Sequence, residues 1–180
     1  MALGTPLESC APLSQDAALR CSQEASWRPK KRPAEPLKRL ENIGDRGGYA
    51  SRAGFLGEAL VAQGRFEEAE HYALLCREDA PQDDVEAQAL WRQVLARVLA
   101  HKGDLDRAGR LAAEAVARAE LTDALSWHAS LLLNQAEVLS LAGHTHEANL
   151  VGRRALRLYE RKADLVGAAR ARNTLDGLSA

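Results

Sequence analysis

The chain has 180 residues, enough for one ordinary domain or a short array of repeats and too few for two large domains. Apolar residues make up 46% and charged residues 27%, a composition typical of folded proteins. The 24 basic and 25 acidic side chains leave a formal charge of −1, so the basic excess of a typical nucleic-acid binder is absent. Ala and Leu dominate, Ile occurs once and aromatic residues are 4%, which predicts an all-α protein because strands favour Val, Ile, Thr and aromatic residues.

The cysteines and the apolar runs bear on the protein's location. Cys10, Cys21 and Cys76 are odd in number and form no CxxC pair, so we expect no disulfide framework and a reducing compartment. The first residues lack a basic region followed by an apolar core, and no stretch approaches the ~20 apolar residues that span a bilayer. These features predict a cytoplasmic protein with no membrane partner.

Residues 1–47 differ in composition from the rest of the chain. They hold five of the six prolines and the run Lys30-Lys31-Arg32, so we predict a mostly irregular, Pro-rich and basic segment. Short helices are predicted over residues 16–23 and 36–42. The basic run is a nuclear address, an anion-binding patch, or a solvated stretch beside prolines.

From residue 48 onward one short pattern recurs three times. Gly64, Gly103 and Gly143 each separate two helical apolar patterns, and they lie 39 and 40 residues apart. A fixed period of this size indicates stacked helical repeats, in which each glycine supplies the positive φ of a turn. We predict a repeat domain over 48–180, with helical hairpins over about 50–83, 89–122 and 129–162 and a capping helix over 165–178.

Small residues recur at matching positions of the three predicted hairpins. A side chain of one methyl group or none lets two helix backbones approach closely, as an antiparallel hairpin with a short turn requires. We therefore expect these positions to be buried between helices. They are Gly57, Ala96 and Ala136 in the first helices, and Ala69, Ala108 and Ala148 in the second helices.

Counted from the turn glycine, the small residues, Phe66 and Pro81 fall at signature positions of the tetratricopeptide repeat, which the stretch 42–178 resembles. Residues 62–70 and 158–162 are similar to the C-terminal repeats of large bacterial signalling proteins of the cyclase, ATPase and maltose-activator kinds. The period of 39–40 residues exceeds the ~34 usual for the family. The resemblance implies a TPR-like right-handed superhelix of three helical hairpins plus a C-terminal capping helix.

The resemblance also implies a function, because stacked hairpins of this family form a concave wall that holds a protein or an extended peptide. We expect a non-catalytic, regulatory or signalling interaction module, either free-standing or the terminal piece of a larger bacterial regulator. The chaperone-tail binders of the family use Lys and Asn where this chain has Gly54 and Glu58, so their carboxylate clamp is not expected. The family's groove-facing positions give the candidate residues Glu58, Gln93, Arg97, Asn134, Glu137, Arg170 and Asn173.

Other functions and roles are weighed against this one. A helical repeat that binds RNA or DNA is the alternative, and the near-zero charge argues against it. A metal enzyme could use His144 and His146 at a turn, but no third ligand lies at a diagnostic spacing. His71, His101 and His128 are isolated on predicted helices without a nucleophile and an orienting group nearby, so we expect no catalytic residue, metal or cofactor. Trp91 and Trp127 are groove anchors or packing residues, and their spacing favours packing.

Overall fold

The computed structural model describes residues 45–178, and the prediction of an all-α protein is confirmed within them. Of the predicted irregular segment 1–47, residues 1–44 lie outside the described residues, together with the two short helices and the Lys30-Lys31-Arg32 run. Residues 46–47 belong to a helix, so the predicted boundary is too late. Within 45–178 no helix is both long enough and apolar enough to cross a membrane. The helices of this range, in chain order, are α1 Arg46–Ala62, α2 Phe66–Asp79, α3 Val85–His101, α4 Leu105–Ala119, α5 Leu125–Leu141, α6 Thr145–Lys162 and α7 Leu165–Leu178.

Short turns join α1 to α2, α3 to α4 and α5 to α6, and each contains one of the repeated glycines. The angle φ is +72° at Gly64, +87° at Gly103 and +79° at Gly143. A residue with a Cβ is strained in this left-handed region, which explains why glycine recurs at the turns. The predicted turn positions are confirmed. The turn after α6 places Ala163 in the same region, with φ +57°.

Aspartates begin four of the helices. Asp45, Asp84, Asp104 and Asp164 each accept a hydrogen bond from the backbone N–H three residues later, at 2.9, 3.0, 3.4 and 2.8 Å. These bonds satisfy amide groups that a helix leaves unpaired at its N-terminus. The Asp45 cap places the start of α1 ahead of residue 50, near which the sequence predicts the first hairpin to begin.

The odd-numbered and even-numbered helices form two layers. Helices α1, α3, α5 and α7 contact one another in series, whereas α2, α4 and α6 each pack between two odd-numbered helices. Among the residues described, no Cα atom of one even-numbered helix lies within 8 Å of a Cα atom of another even-numbered helix. The odd layer is therefore a continuous wall, and the even layer consists of separate ridges with gaps between them.

Small residues line the interfaces between helices, as the sequence predicts. A Cβ added to Gly57 would lie 3.1 Å from Val94 Cγ1 and 3.3 Å from the carbonyl oxygen of Ala69, so α1 approaches both α2 and α3 closely at this point. Leu90 and Leu131 are among the largest fully buried side chains. The alanines at matching positions are at most 1% exposed: Ala69, Ala96, Ala108, Ala136 and Ala148.

Candidate functional site

Two of the candidate groove residues pair with each other inside the odd layer. Asn134 Nδ2 on α5 donates a hydrogen bond to Gln93 Oε1 on α3, over 2.7 Å, and each side chain is 3% exposed. Buried amides require such partners, because an unsatisfied polar group away from water is costly. The pair therefore ties α3 to α5, and only Asn134 also reaches the wall of a cavity.

Arg97 and Glu137 form a bidentate ion pair between the same two helices. The Nε–Oε2 distance is 2.8 Å and the Nη2–Oε1 distance is 3.3 Å. His101 Nε2 lies 3.4 Å from the same carboxylate, and the His101 ring stacks on Phe66 with the ring centroids 4.3 Å apart. The guanidinium of Arg97, a candidate groove residue, is therefore already paired with a carboxylate from the next hairpin.

A cavity of about 510 Å³ brings the first and last helices of the array to one site. Its walls come from α1, from Arg97 on α3 and from Arg170 on α7. Among the described residues Glu58 and Arg170 have no ion-pair partner, unlike Arg97. The α1 residues that line this cavity are Phe55, Glu58, Ala59 and Ala62.

A second cavity, of about 260 Å³, is also lined by Arg170. It is built from α5 and α7, with apolar walls supplied by Leu133, Leu141 and Leu178. Arg170 is exposed and lines both cavities, so one cation stands between two partly apolar spaces. Asn173 is exposed one turn further along α7, and it is not among the residues lining either cavity.

The surroundings of Tyr159 show how many helices meet near Arg170. Burial raises the pKa of the Tyr159 hydroxyl, the positive charge of Arg170 and a hydrogen bond with Ser130 oppose this change, and the Glu58 carboxylate adds to it. These four side chains come from α6, α7, α5 and α1. Glu58 and Arg170 also line the cavity of about 510 Å³ together. The charges of Glu58 and Arg170 thus face the same space.

The other residues singled out in the sequence lie elsewhere. His144 and His146 are exposed, and His144 Nδ1 is 3.7 Å from a carboxylate oxygen of Glu147. The part of the chain that the structure describes holds no group of three or more His, Cys, Asp or Glu residues that could bind a metal ion. Cys76 is completely buried with its Sγ 3.5 Å from the Ala87 carbonyl oxygen, and burial raises the pKa of the thiol to about 12.

The tryptophans pack against apolar clusters, which agrees with the packing interpretation. Trp91 is half-buried and its Nε1 donates a hydrogen bond to Gln88 Oε1 over 3.2 Å. Trp127 packs on the cluster that contains Leu131 and Tyr159, and its buried Nε1 has no hydrogen-bond partner in the described part of the chain.

Sequence reasoning missed the apolar part of the site. Phe55 is 46% exposed and Leu141 is 44% exposed, and each lines one of the two cavities beside Arg170. The sequence does contain one weak signal for it. Phe55 lies outside the row of Ala53, Leu56 and Leu60 that forms the packed face of α1. Single exposed apolar residues are common on protein surfaces, so Phe55 becomes informative only through the cavity that it lines.

A scan against protein-family models gives no match for this chain, and a search of the curated proteins gives no significant match.

Proposed function

We propose that the chain is a non-catalytic interaction module of the tetratricopeptide-repeat type. In this proposal its three hairpins and capping helix form a right-handed superhelix whose inner wall, α1, α3, α5 and α7, holds a protein or an extended peptide. The observation that carries the proposal is Arg170, an exposed cation without an ion-pair partner among the described residues that lines two partly apolar cavities. The 39- and 40-residue spacing of three positive-φ glycines supports the repeat assignment.

The chemistry of the site defines the ligand that we propose. A carboxylate of the peptide would pair with Arg170, because a guanidinium binds carboxylates in a bidentate geometry. Apolar side chains on either side of that carboxylate would enter the cavities at Phe55 and Leu141. Glu58 would accept N–H groups of the same peptide. Arg97 would form part of the wall of the site without attracting the peptide's carboxylate, since its charge is balanced by Glu137.

The biological setting is part of the proposal. A recognition surface without catalytic groups suits a regulatory or signalling role in the cytoplasm, either in a free-standing adaptor or in the terminal piece of a larger bacterial regulator. The resemblance of residues 62–70 and 158–162 to such regulators supports this role.

The test is selection of peptides from a random library by the full chain and by two variants. Arg170→Ala removes the proposed anchor, and Arg153→Ala removes an exposed arginine on α6 that lies outside both cavities. We expect the unaltered protein and Arg153→Ala to select the same peptides, with an acidic residue between apolar ones. Arg170→Ala should bind those peptides roughly ten- to a hundredfold more weakly, the usual scale for a hydrogen bond to a charged group. Equal binding by both variants would refute the assignment of Arg170.

A second candidate function, binding of RNA or DNA, is favoured by one observation. Arg153, Arg157 and Arg161 are all exposed on α6 at four-residue intervals, which places them along one face of the helix. Binding of a labelled oligonucleotide that weakens steeply with salt, and that is lost in Arg153→Ala/Arg157→Ala, would support it. Retention of no oligonucleotide at low salt would dismiss it.

A further inference from the structure

A groove on the opposite face of the protein lies between α2 and α4. We propose that this outer groove docks an acidic, amphipathic helix of a partner protein. It is separate from the proposed peptide site, which lies on the odd-numbered helices and does not share a lining residue with it. The residues of α2, α3 and α4 define the outer groove, and its apolar lining consists of Leu74, Trp91, Leu95, Leu99 and Leu111.

The groove exists because the backbones of α2 and α4 lie apart, with no pair of their Cα atoms within 8 Å. Both helices pack on α3, and the space of about 280 Å³ between them is floored by α3 side chains. Leu95 is 7% exposed and Leu99 is 9% exposed, so the floor is firmly packed from below, while Trp91 is half-buried. A cavity of about 150 Å³ accommodates benzene. The outer groove therefore has room for two aliphatic side chains of a ligand.

The rim of the groove carries a surplus of positive charge. Its two carboxylates are already paired, Glu70 with Lys102 at 2.6 Å and Glu114 with Arg92 at 3.0 Å. Arg77 on α2 and Arg110 on α4 are exposed and have no carboxylate partner among the described residues.

A third rim arginine is partly neutralised, since Arg107 pairs with Asp104 at 3.1 Å. The unpaired charges of Arg77 and Arg110 therefore stand on opposite walls of the apolar floor. A complementary ligand presents an apolar stripe with carboxylates on both of its flanks.

The backbone chemistry of the walls favours a helix as the ligand. An extended peptide gains affinity by pairing its main chain with a sheet edge, and the walls here are helices whose interior amide and carbonyl groups are bonded internally. A helix satisfies its own backbone and offers side chains at i and i+4 about 5–6 Å apart. Two such apolar residues would fill the groove, with acidic residues beside them facing Arg77 and Arg110.

The experiment uses the full chain and a designed probe, a fluorescein-labelled helical peptide with Leu at i, i+4 and i+7 and Glu at the flanking positions. A matched peptide carries Lys in place of every Glu. Fluorescence anisotropy at low salt should show saturable binding of the Glu peptide only, because the rim repels the Lys peptide. Equal binding of both peptides, or no saturation at millimolar protein, would overturn the proposal.

Protein variants locate the binding. Arg77→Ala/Arg110→Ala should weaken the Glu peptide about three- to tenfold, and Arg153→Ala/Arg157→Ala on α6 should not. All four side chains are exposed, so both variants are expected to keep the wild-type circular dichroism spectrum. The site would be refuted if the Glu peptide bound Arg77→Ala/Arg110→Ala as tightly as the unaltered protein and bound the α6 variant or Arg170→Ala more weakly.

Tryptophan fluorescence gives a second measurement on the same complex. An unlabelled Glu peptide should change the emission of the protein through Trp91, which lies on the floor of the groove. The change should disappear in Trp91→Phe and persist in Trp127→Phe. Persistence in both variants would contradict docking over Trp91.

Discussion

Gly54→Ala tests the close packing that brings α1, α2 and α3 together. A Cβ at position 54 would lie 2.9 Å from Leu90 Cβ and 3.1 Å from Cys76 Sγ, where ordinary contacts begin near 3.4 Å. Leu90 Cβ is fixed by its backbone, so no rotamer change relieves the contact and α3 itself must shift. Overpacking of this kind costs roughly 1–3 kcal/mol.

The matched control is Gly109→Ala on α4, because a Cβ there meets nothing within 4 Å. Both substitutions replace glycine by alanine within a helix and gain up to about 1 kcal/mol in helix propensity. The control should therefore be stabilised by that amount. Gly54→Ala should be about 1–3 kcal/mol less stable than the control, since the propensity gain cancels in the comparison.

Urea unfolding followed by circular dichroism measures the difference, provided that the two variants share one m-value. Gly57→Ala should fall between them. Its Cβ would lie 3.1 Å from Val94 Cγ1, which can move slightly, and 3.3 Å from the carbonyl oxygen of Ala69, which cannot. If Gly54→Ala proved as stable as Gly109→Ala, the helices would not be packed as described.

Three further predictions concern the backbone, a histidine and a cysteine. Gly64→Ala should lower the free energy of unfolding by about 1–2 kcal/mol, because φ is +72° at this position. Ala163→Gly should raise it by a similar amount, because φ is +57° there. Urea midpoints that move in the opposite directions would contradict both expectations. Burial, and then the charge of Arg154, lowers the pKa of His128 from its ordinary value of 6.5. Between that value and the lower pKa of the folded state, the unfolded chain therefore binds more protons than the folded one. Stability measured by urea unfolding should be constant above pH 6.5 and decrease as the pH falls through that value, and His128→Gln should flatten the profile. The Cys76 thiol, with its pKa near 12, should react with a disulfide reagent at pH 8 only as the protein unfolds, in a variant whose other cysteines are replaced by Ser.

The arrangement of helices could be predicted because its determinants are local. The positive φ of Gly103 and Gly143 is a property of a few consecutive residues, and so is the four-residue spacing of small residues that begins at Ala69 and Ala108. Each signal also recurs at nearly the same period, which makes it stand out from chance. The start of α1 is marked by Asp45, which lies one repeat period before Asp84, the equivalent cap of α3, and this recurrence did not enter the predicted boundary.

The state of the candidate site could not be predicted in the same way, because it depends on contacts between hairpins. Arg97 and Glu137 lie 40 residues apart, and Gln93 and Asn134 lie 41 apart, so each pair joins equivalent or adjacent positions of successive repeats. Taken one unit at a time, each of these side chains looks available to a ligand. Only the stacking of α3 on α5 shows that they bind each other.

The repeat period nevertheless explains which charges remain open. Glu58, Arg97 and Glu137 occupy equivalent positions of the three hairpins and alternate in sign, so the middle arginine can neutralise only one of two carboxylates. It pairs with Glu137, which leaves Glu58 without an ion-pair partner among the described residues. Arg170 belongs to α7, outside this series, and no carboxylate of a following hairpin faces it in the described part of the chain. Among the described residues, the open cation of α7 and the open carboxylate of α1 thus line the same cavity, where the proposed peptide would meet both.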